Sequence, residues 1–376
     1  MRAFSGGSAA QRPAQGVEIH GWGLHVGIAR LLLTPQRWVL IEALAFLFVG
    51  AEVLADPCPQ LGAGGGTSLA EVHQIAATCH ALNLHLAERA ALTSAWGDCG
   101  HASHARNGQL RAIAGERAVL RVLQLSDPHL LADSRGRCRG RVAMEALHHA
   151  WQQALAQLGQ PPDLLLISGD LCQDESLGGY VHLRELLELW GVPAALLPGN
   201  HDHPGLMRAA LGRQAWIAPA VVPLAGWQLL LLNSHRSGSV AGWLDPPQLA
   251  WLQCQLQVAS APVLVALHHP PVPIGSPELD AIALRQPERL WPVLLASAQV
   301  SGVVFGHVHQ HWHGQAPREG GGSLPLWACP STLAAFSAVQ PCPLGRPDWP
   351  GGRLIELSPD GVVHTRLLRW PHSQGS

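Results

Sequence analysis

The sequence predicts an α/β domain of buried strands and amphipathic helices over residues 118–376, and three observations carry the prediction. Apolar runs of strand length recur, stretches of helical period separate several of them, and five runs end in Asp, Asn or His beside Gly or Pro. Strands covered on both faces read as continuous apolar runs, and their alternation with helices implies a layered, largely parallel sheet.

The strand runs are 118–125, 163–168, 194–197, 227–232, 263–267 and 300–305. Helical periodicity spaces them at 141–158, 180–190 and 246–258. Near the C-terminus, Pro359-Asp360-Gly361 separates 353–357 from 362–368 and reads as the turn of a hairpin.

Residues 1–117 differ in character. Gly- and Ser-rich patches at 6–8 and 62–68 mark a low-complexity extension of unclear order, with 69–92 its one helix-like stretch. The apolar run 38–55 carries Glu42 and Glu52 and is shorter than the roughly 20 residues of a membrane helix. The 37 residues before it are long for the front of an export signal. A buried or loosely ordered helix is the reading, so no stable membrane insertion is expected and the expected compartment is the cytoplasm. Export, or membrane association through 38–55, is the alternative.

Composition narrows the function. The 376 residues are 47% hydrophobic and 13% charged, with a formal net charge of −2 and 22 His; all 24 basic residues are Arg. A near-neutral chain without a basic surface excludes nucleic acid as a partner, and the apolar content excludes a disordered chain. The eight Cys form no C-x-x-C pair, so a thiolate zinc site is not expected. The densest basic stretch, Arg135 to Arg141, reads as a solvated loop, or alternatively as a phosphate-attracting segment at the mouth of a site.

The strand ends hold the chemistry. Leu125 is followed by Ser-Asp-Pro-His, Ser168 by Gly-Asp, Leu197 by Pro-Gly-Asn-His-Asp, Leu267 by His-His-Pro, and Phe305 by Gly-His-Val-His. In α/β folds the carboxyl ends of the strands converge on one rim, where ligands bind. Carboxylates, imidazoles and an amide oxygen form a mixed O/N donor set suited to Mn, Fe or Zn. Seven such donors serve two ions about 3.5–4 Å apart if one carboxylate bridges, an arrangement that activates water and holds a phosphoryl group. Gly169, Gly199 and Gly306 are expected where backbone approaches the ions closely.

These five blocks, D-x-H, G-D, G-N-H-D, H and G-H-x-H, resemble the signature of the calcineurin-like metallophosphoesterase superfamily. The strings LQLSDPHL, ISGDLCQD, LPGNHD, ALHHPPVPIGS, GVVFGHVHQ and CPST are similar to those of bacterial class III cyclic-nucleotide phosphodiesterases. The resemblance implies a four-layer α/β fold, two mixed sheets packed as a sandwich between helices. It implies two divalent or trivalent transition-metal ions, Fe or Mn with Zn as the alternative. Asp127, His129 and His309 would hold the first ion; Asn200, His268 and His307 the second; Asp170 would bridge them. His268 is preferred to His269 because the family's ligand lies two residues before a Pro, here Pro270.

The implied activity is hydrolysis of 3′,5′-cyclic nucleotides, cAMP foremost, by a metal-bridging hydroxide, with His201 the catalytic general acid facing the leaving oxygen. The alternative for His201 is a turn residue satisfied by Asp202, and Asp202 either orients that ring or closes the turn. The runner-up activity is a broader phosphoesterase acting on other diesters or a lipid pyrophosphate; a non-catalytic scaffold stands third. The partner is then a small cyclic nucleotide, with homodimerisation left open. Gln173 stands where purple acid phosphatases of the superfamily place a Tyr, which argues against a purple site. His311 and His313 are expected as exposed loop residues.

Overall fold

A computed structural model of the chain describes residues 119–373. The runs at 38–55 and 69–92, with the rest of the N-terminal extension, lie outside the described residues.

Two six-stranded mixed sheets form the centre. The first, in the order β14-β13-β1-β4-β5-β6, contains β1 (Leu120–Leu125), β4 (Leu164–Ile167), β5 (Ala194–Leu196), β6 (Ala215–Ile217), β13 (Gly351–Leu357) and β14 (Val363–Arg369). The second runs β11-β12-β10-β9-β8-β7, from β7 (Ala220–Leu224), β8 (Trp227–Leu231), β9 (Val263–Ala266), β10 (Val300–Phe305), β11 (Trp312–Pro317) and β12 (Ser323–Ala328). In each sheet four neighbouring strands are parallel: β1, β4, β5 and β6 in one, and β12, β10, β9 and β8 in the other. Antiparallel strands flank them.

Strand alternation explains why the runs look uniformly apolar. Val122, Leu164, Leu166, Leu229, Leu231, Leu264, Ala266 and Val304 face the other sheet. Their neighbours Leu123, Leu125, Leu165 and Ile167 face helices α1 (Ala143–Leu158), α2 (Leu177–Trp190) and α3 (Pro204–Leu211). On the far side Leu230, Val263, Val265, Val303 and Phe305 meet α4 (Pro246–Val258) and the short helices after it. The result is helices, sheet, sheet, helices, the four layers the sequence predicts.

Local signals set the helix ends. Ser176 accepts from the Gly179 N–H at the start of α2, and Asp245 from the Gln248 N–H at the start of α4. Gly159 and Gly191 close α1 and α2 in the left-handed conformation. One boundary differs from expectation: Arg141 and Val142 belong to a small hairpin, β2 (Arg137–Cys138) with β3 (Arg141–Val142), and the helix begins at Ala143. Among the described residues no helix is long and apolar enough to cross a membrane.

Candidate metal centre

The carboxyl ends of β1, β4 and β5 in one sheet meet those of β9 and β10 in the other, and every site residue the sequence singled out lies just beyond them. Buried hydrogen bonds tie the loops together. Gln124 Nε2 donates to Ser168 Oγ (2.9 Å) and to the Phe305 carbonyl (3.1 Å), linking three strand ends across the sandwich. Asp127 N donates to Gly169 O at 3.1 Å, and His129 N to Asp170 O at 3.0 Å.

The backbone is strained where the chemistry concentrates. Asp127, His129, Asp170, His307 and His309 have φ of 52°, 50°, 49°, 69° and 51°, the left-handed region that non-glycine residues seldom occupy. Such conformations cost of order 1–3 kcal/mol each and persist where surrounding packing enforces them. The glycines beside them are required by the close approach of neighbouring protein atoms. A Cβ on Gly199 would lie 2.1 Å from Asp170 Oδ1, one on Gly169 would lie 2.1 Å from His268 Nδ1, and one on Gly306 would lie 2.3 Å from Ser126 Oγ.

Two groups of donors result. Asp127, His129, Asp170 and His309 are all buried and place one donor atom each within 4.8 Å of one another. His309 Nε2 is 3.1 Å from His129 Nε2 and 3.4 Å from Asp127 Oδ1. In the second group His268 Nε2 lies 3.2 Å from His307 Nδ1 and 3.5 Å from Asp170 Oδ1. Asp170 thus faces both groups. Asn200 follows β5, and its buried Oδ1 has no hydrogen-bond partner, as is true of His307 Nε2.

Tautomers follow from the outer partners. His309 Nδ1 is 2.9 Å from the Ala334 carbonyl and His268 Nδ1 is 2.7 Å from the Ser168 carbonyl, so each Nδ1 donates and each Nε2 is turned to the site. His269 cannot serve in this way, although its ring is close. Its Nε2 donates to Val240 O at 3.1 Å, and its Nδ1 accepts from Ser234 Oγ at 2.8 Å, leaving no lone pair. The orphaned Asn200 oxygen and the imidazole nitrogens aimed at one another are what a pair of cations would satisfy. The O/N donor set fits such ions.

Electrostatics agree. Burial disfavours charge on Asp170, yet His268 and His129 hold its carboxyl well below the usual range. Burial likewise works against charge on Asp127, and His309 and His268 pull it low. For His268, burial favours the neutral ring, but the Asp170 carboxylate outweighs it and the pKa is pushed up to about 9. Desolvation lowers His129 to about 4 and His307 to about 3, keeping both rings neutral and able to donate to a cation.

His201 is half-buried beside the first group, its ring edge-on to His129 at 5.2 Å. Its backbone N–H donates to Asp170 Oδ1 at 2.9 Å, and its Nδ1 lies 3.2 Å from Gln173 Nε2. Asp202 therefore does not satisfy the ring. Its carboxylate accepts from the N–H groups of Leu171 (3.0 Å), Cys172 (3.0 Å) and Gly199 (2.8 Å) and from Tyr180 Oη (3.0 Å), closing the turn that carries Asn200. Burial, then the charge of Asp170, raises Asp202 to about 7 against those donors.

His311 differs from expectation. It is buried, and Arg353 donates to its Nδ1 at 3.1 Å while also clamping the Ala328 carbonyl; His313 is exposed as expected, but on the edge strand β11 rather than in a loop. Sequence reasoning missed Ser331, whose hydroxyl donates to the Asp127 carbonyl at 2.8 Å and accepts from Leu333 N at 2.9 Å. The signal for it in the sequence is the CPST string after β12.

Comparison with known proteins identifies the family. The family profile for calcineurin-like phosphoesterase matches residues 120–311. A probable cyclic nucleotide phosphodiesterase of Synechococcus sp. (strain WH7803) is 48% identical over 66% of this chain and 96% of its own length. A 3′,5′-cyclic adenosine monophosphate phosphodiesterase of Pseudomonas aeruginosa is 34% identical, over 68% of this chain and 92% of its own length. Its counterpart in Escherichia coli (strain K12) is 36% identical over the same shares, 68% and 92%. A family profile spanning half the chain, and relatives matched over nearly their whole length, establish that the chain belongs to the calcineurin-like phosphoesterases, hydrolases with a dinuclear divalent metal centre.

Proposed function

We propose that the protein is a 3′,5′-cyclic-nucleotide phosphodiesterase with cAMP as its principal substrate. The observation that carries this reading is the identity of 34–48% to proteins named as cyclic nucleotide or cAMP phosphodiesterases, over more than nine-tenths of their length. The site supports it: Asp127, His129, Asp170, Asn200, His268, His307 and His309 supply the donors for two cations. Asp127, His129 and His309 would hold one, Asn200, His268 and His307 the other, with Asp170 shared between them. Fe or Mn suits this set, with Zn the alternative. Two cations supply charge neutralisation at the phosphoryl oxygens and a nucleophilic water at neutral pH.

The protein's own residues do the rest. Gln173, the donor amide at Nδ1 of His201, leaves the His201 proton on Nε2, where it is available to the leaving 3′ oxygen. Ser331, Asp202 and the outer carbonyls hold the donors in place before substrate arrives, so little reorganisation remains at the transition state. We place this activity in the cytoplasm, acting on a small cyclic nucleotide.

The test is metal analysis of the purified protein joined to a turnover panel of cAMP, cGMP, bis-p-nitrophenyl phosphate and a UDP-lipid. Two ions per chain and preferred turnover of a cyclic nucleotide are expected. Preference for the UDP-lipid, or absence of any turnover at full metal content, would overturn the proposal.

A further inference from the structure

The β2–β3 hairpin touches residues on both flanks of the metal site. On the His201 side, Cys138 Sγ lies 3.6 Å from Oε1 of Gln173, the amide that holds His201. On the His309 side, the Arg139 guanidinium carbon lies 4.7 Å over the ring of Phe336, and Phe336 is stacked on His309 at 4.2 Å with 9° between the rings. The turn is tight: Arg139 and Gly140, with φ of 49° and 78°, are its two central residues, and both are left-handed as a two-residue hairpin requires.

Arg139 is exposed, and among the described residues its guanidinium has neither a hydrogen-bond acceptor nor a carboxylate in ion-pair range. An arginine laid on an aromatic face keeps its planar fork of N–H donors for an anion, and that fork matches phosphate geometry. The ring beneath also restricts its rotamers, which reduces the entropy lost when an anion binds.

We infer that Arg139 is a substrate-binding residue: its guanidinium, propped on Phe336, binds the anionic phosphoryl group that enters the metal site. The Arg-rich stretch 135–141 is then a substrate-recognition element rather than a merely solvated loop. The inference rests on the phosphodiesterase reading, and it concerns the phosphate rather than the base, because nothing in the hairpin offers the paired donors and acceptors that base reading needs.

The experiment uses the metal-loaded full chain with Arg139→Ala and Arg139→Lys. Arg139→Ala raises KM for both cAMP and bis-p-nitrophenyl phosphate about 10-fold, the worth of one charge-assisted contact, with kcat within about 2-fold. Metal content is unchanged, Arg139→Lys falls between, and affinity for inorganic phosphate drops in parallel. Added salt raises KM of the parent more than that of Arg139→Ala. An unchanged KM, a rise confined to cAMP, or a rise accompanied by metal loss overturns the inference. If the parent hydrolyses neither diester yet phosphate binding still weakens in Arg139→Ala, the functional reading fails and the anion site stands.

Discussion

Gln173 Nε2 lies 3.2 Å from His201 Nδ1, and this amide, not the neighbouring Asp202, sets the orientation of the imidazole. A side-chain amide nitrogen only donates, so Nδ1 accepts and the ring proton sits on Nε2.

His201→Ala is expected to keep both metal ions and to lower kcat on cAMP by about 10²–10⁴, the usual worth of a positioned general acid. Turnover of bis-p-nitrophenyl phosphate, whose leaving group needs no proton, should fall far less. Gln173→Ala should show the same substrate dependence in milder form. Equal losses on both substrates would remove the acid role from His201, and unchanged turnover would sink it outright.

Asp170 faces both donor groups, 3.9 Å from His129 Nε2 and 3.5 Å from His268 Nε2. Asp170→Ala should therefore lose both ions together, and activity with them. Retention of one ion per chain, measured by elemental analysis, would show that the carboxylate does not bridge.

Gly199 has no room for a side chain, since its Cβ would lie 2.1 Å from Asp170 Oδ1 and 2.4 Å from Asp170 N. The backbone of Asp170 cannot yield without moving the β4 end, so Gly199→Ala is expected to cost about 1–3 kcal/mol of stability and to reduce metal occupancy. Denaturant midpoints and metal content of the variant check both. Native values for the two would mean the loop relaxes freely.

Metal loading should depend on pH through His268. In the metal-free protein its pKa stands at about 9, above the ordinary 6.5, because Asp170 outweighs burial. A cation must displace that proton, so affinity for the site falls as pH drops below about 9, by up to tenfold per unit. Titration calorimetry in buffers of differing ionisation heat should find roughly one proton released per chain near pH 7. Stability of the metal-free protein has the matching sign: the raised pKa contributes below about 6.5 and its contribution is lost as pH rises through about 9. Affinity constant from pH 6.5 to 8.5 would contradict the assignment.

Tyr180, the chain's single tyrosine, donates to Asp202 Oδ1 at 3.0 Å and accepts from the N–H of His203 at 2.7 Å. Tyr180→Phe leaves that N–H without its partner, and an expected loss of about 1–2 kcal/mol would be read from the denaturant midpoint. No measurable loss would mean that water replaces the hydroxyl.

Much of this architecture is legible in the chain. The strands that carry the site are buried on both faces, so 120–125, 164–167 and 300–305 stand out as unbroken apolar runs. Elements outside that rule are hidden. β6 has three residues, β7 and β12 contain Pro223 and Pro325, and β11 alternates polar and apolar positions at a sheet edge. The β2–β3 hairpin has four residues of strand, two of them Arg, around an Arg-Gly turn, so composition reads it as loop. His311 looked exposed because nothing nearby in sequence marks its partner Arg353, which lies 42 residues away.

The layered α/β fold and the phosphoesterase family are legible in the sequence, which also offers seven candidate donor positions. Hydrophobic burial is local enough to be written in each strand, and each donor follows its strand directly. Tertiary structure decided what depends on contacts between distant segments. It turned His268 rather than His269 toward the site, because Ser234 and Val240 occupy both nitrogens of the latter. It assigned the His201 ring to Gln173 and Asp202 to the turn, and it brought Arg139 over Phe336 beside His309. Hydrogen-bond direction and ring stacking act over a few ångströms, and only the folded chain brings those groups within reach.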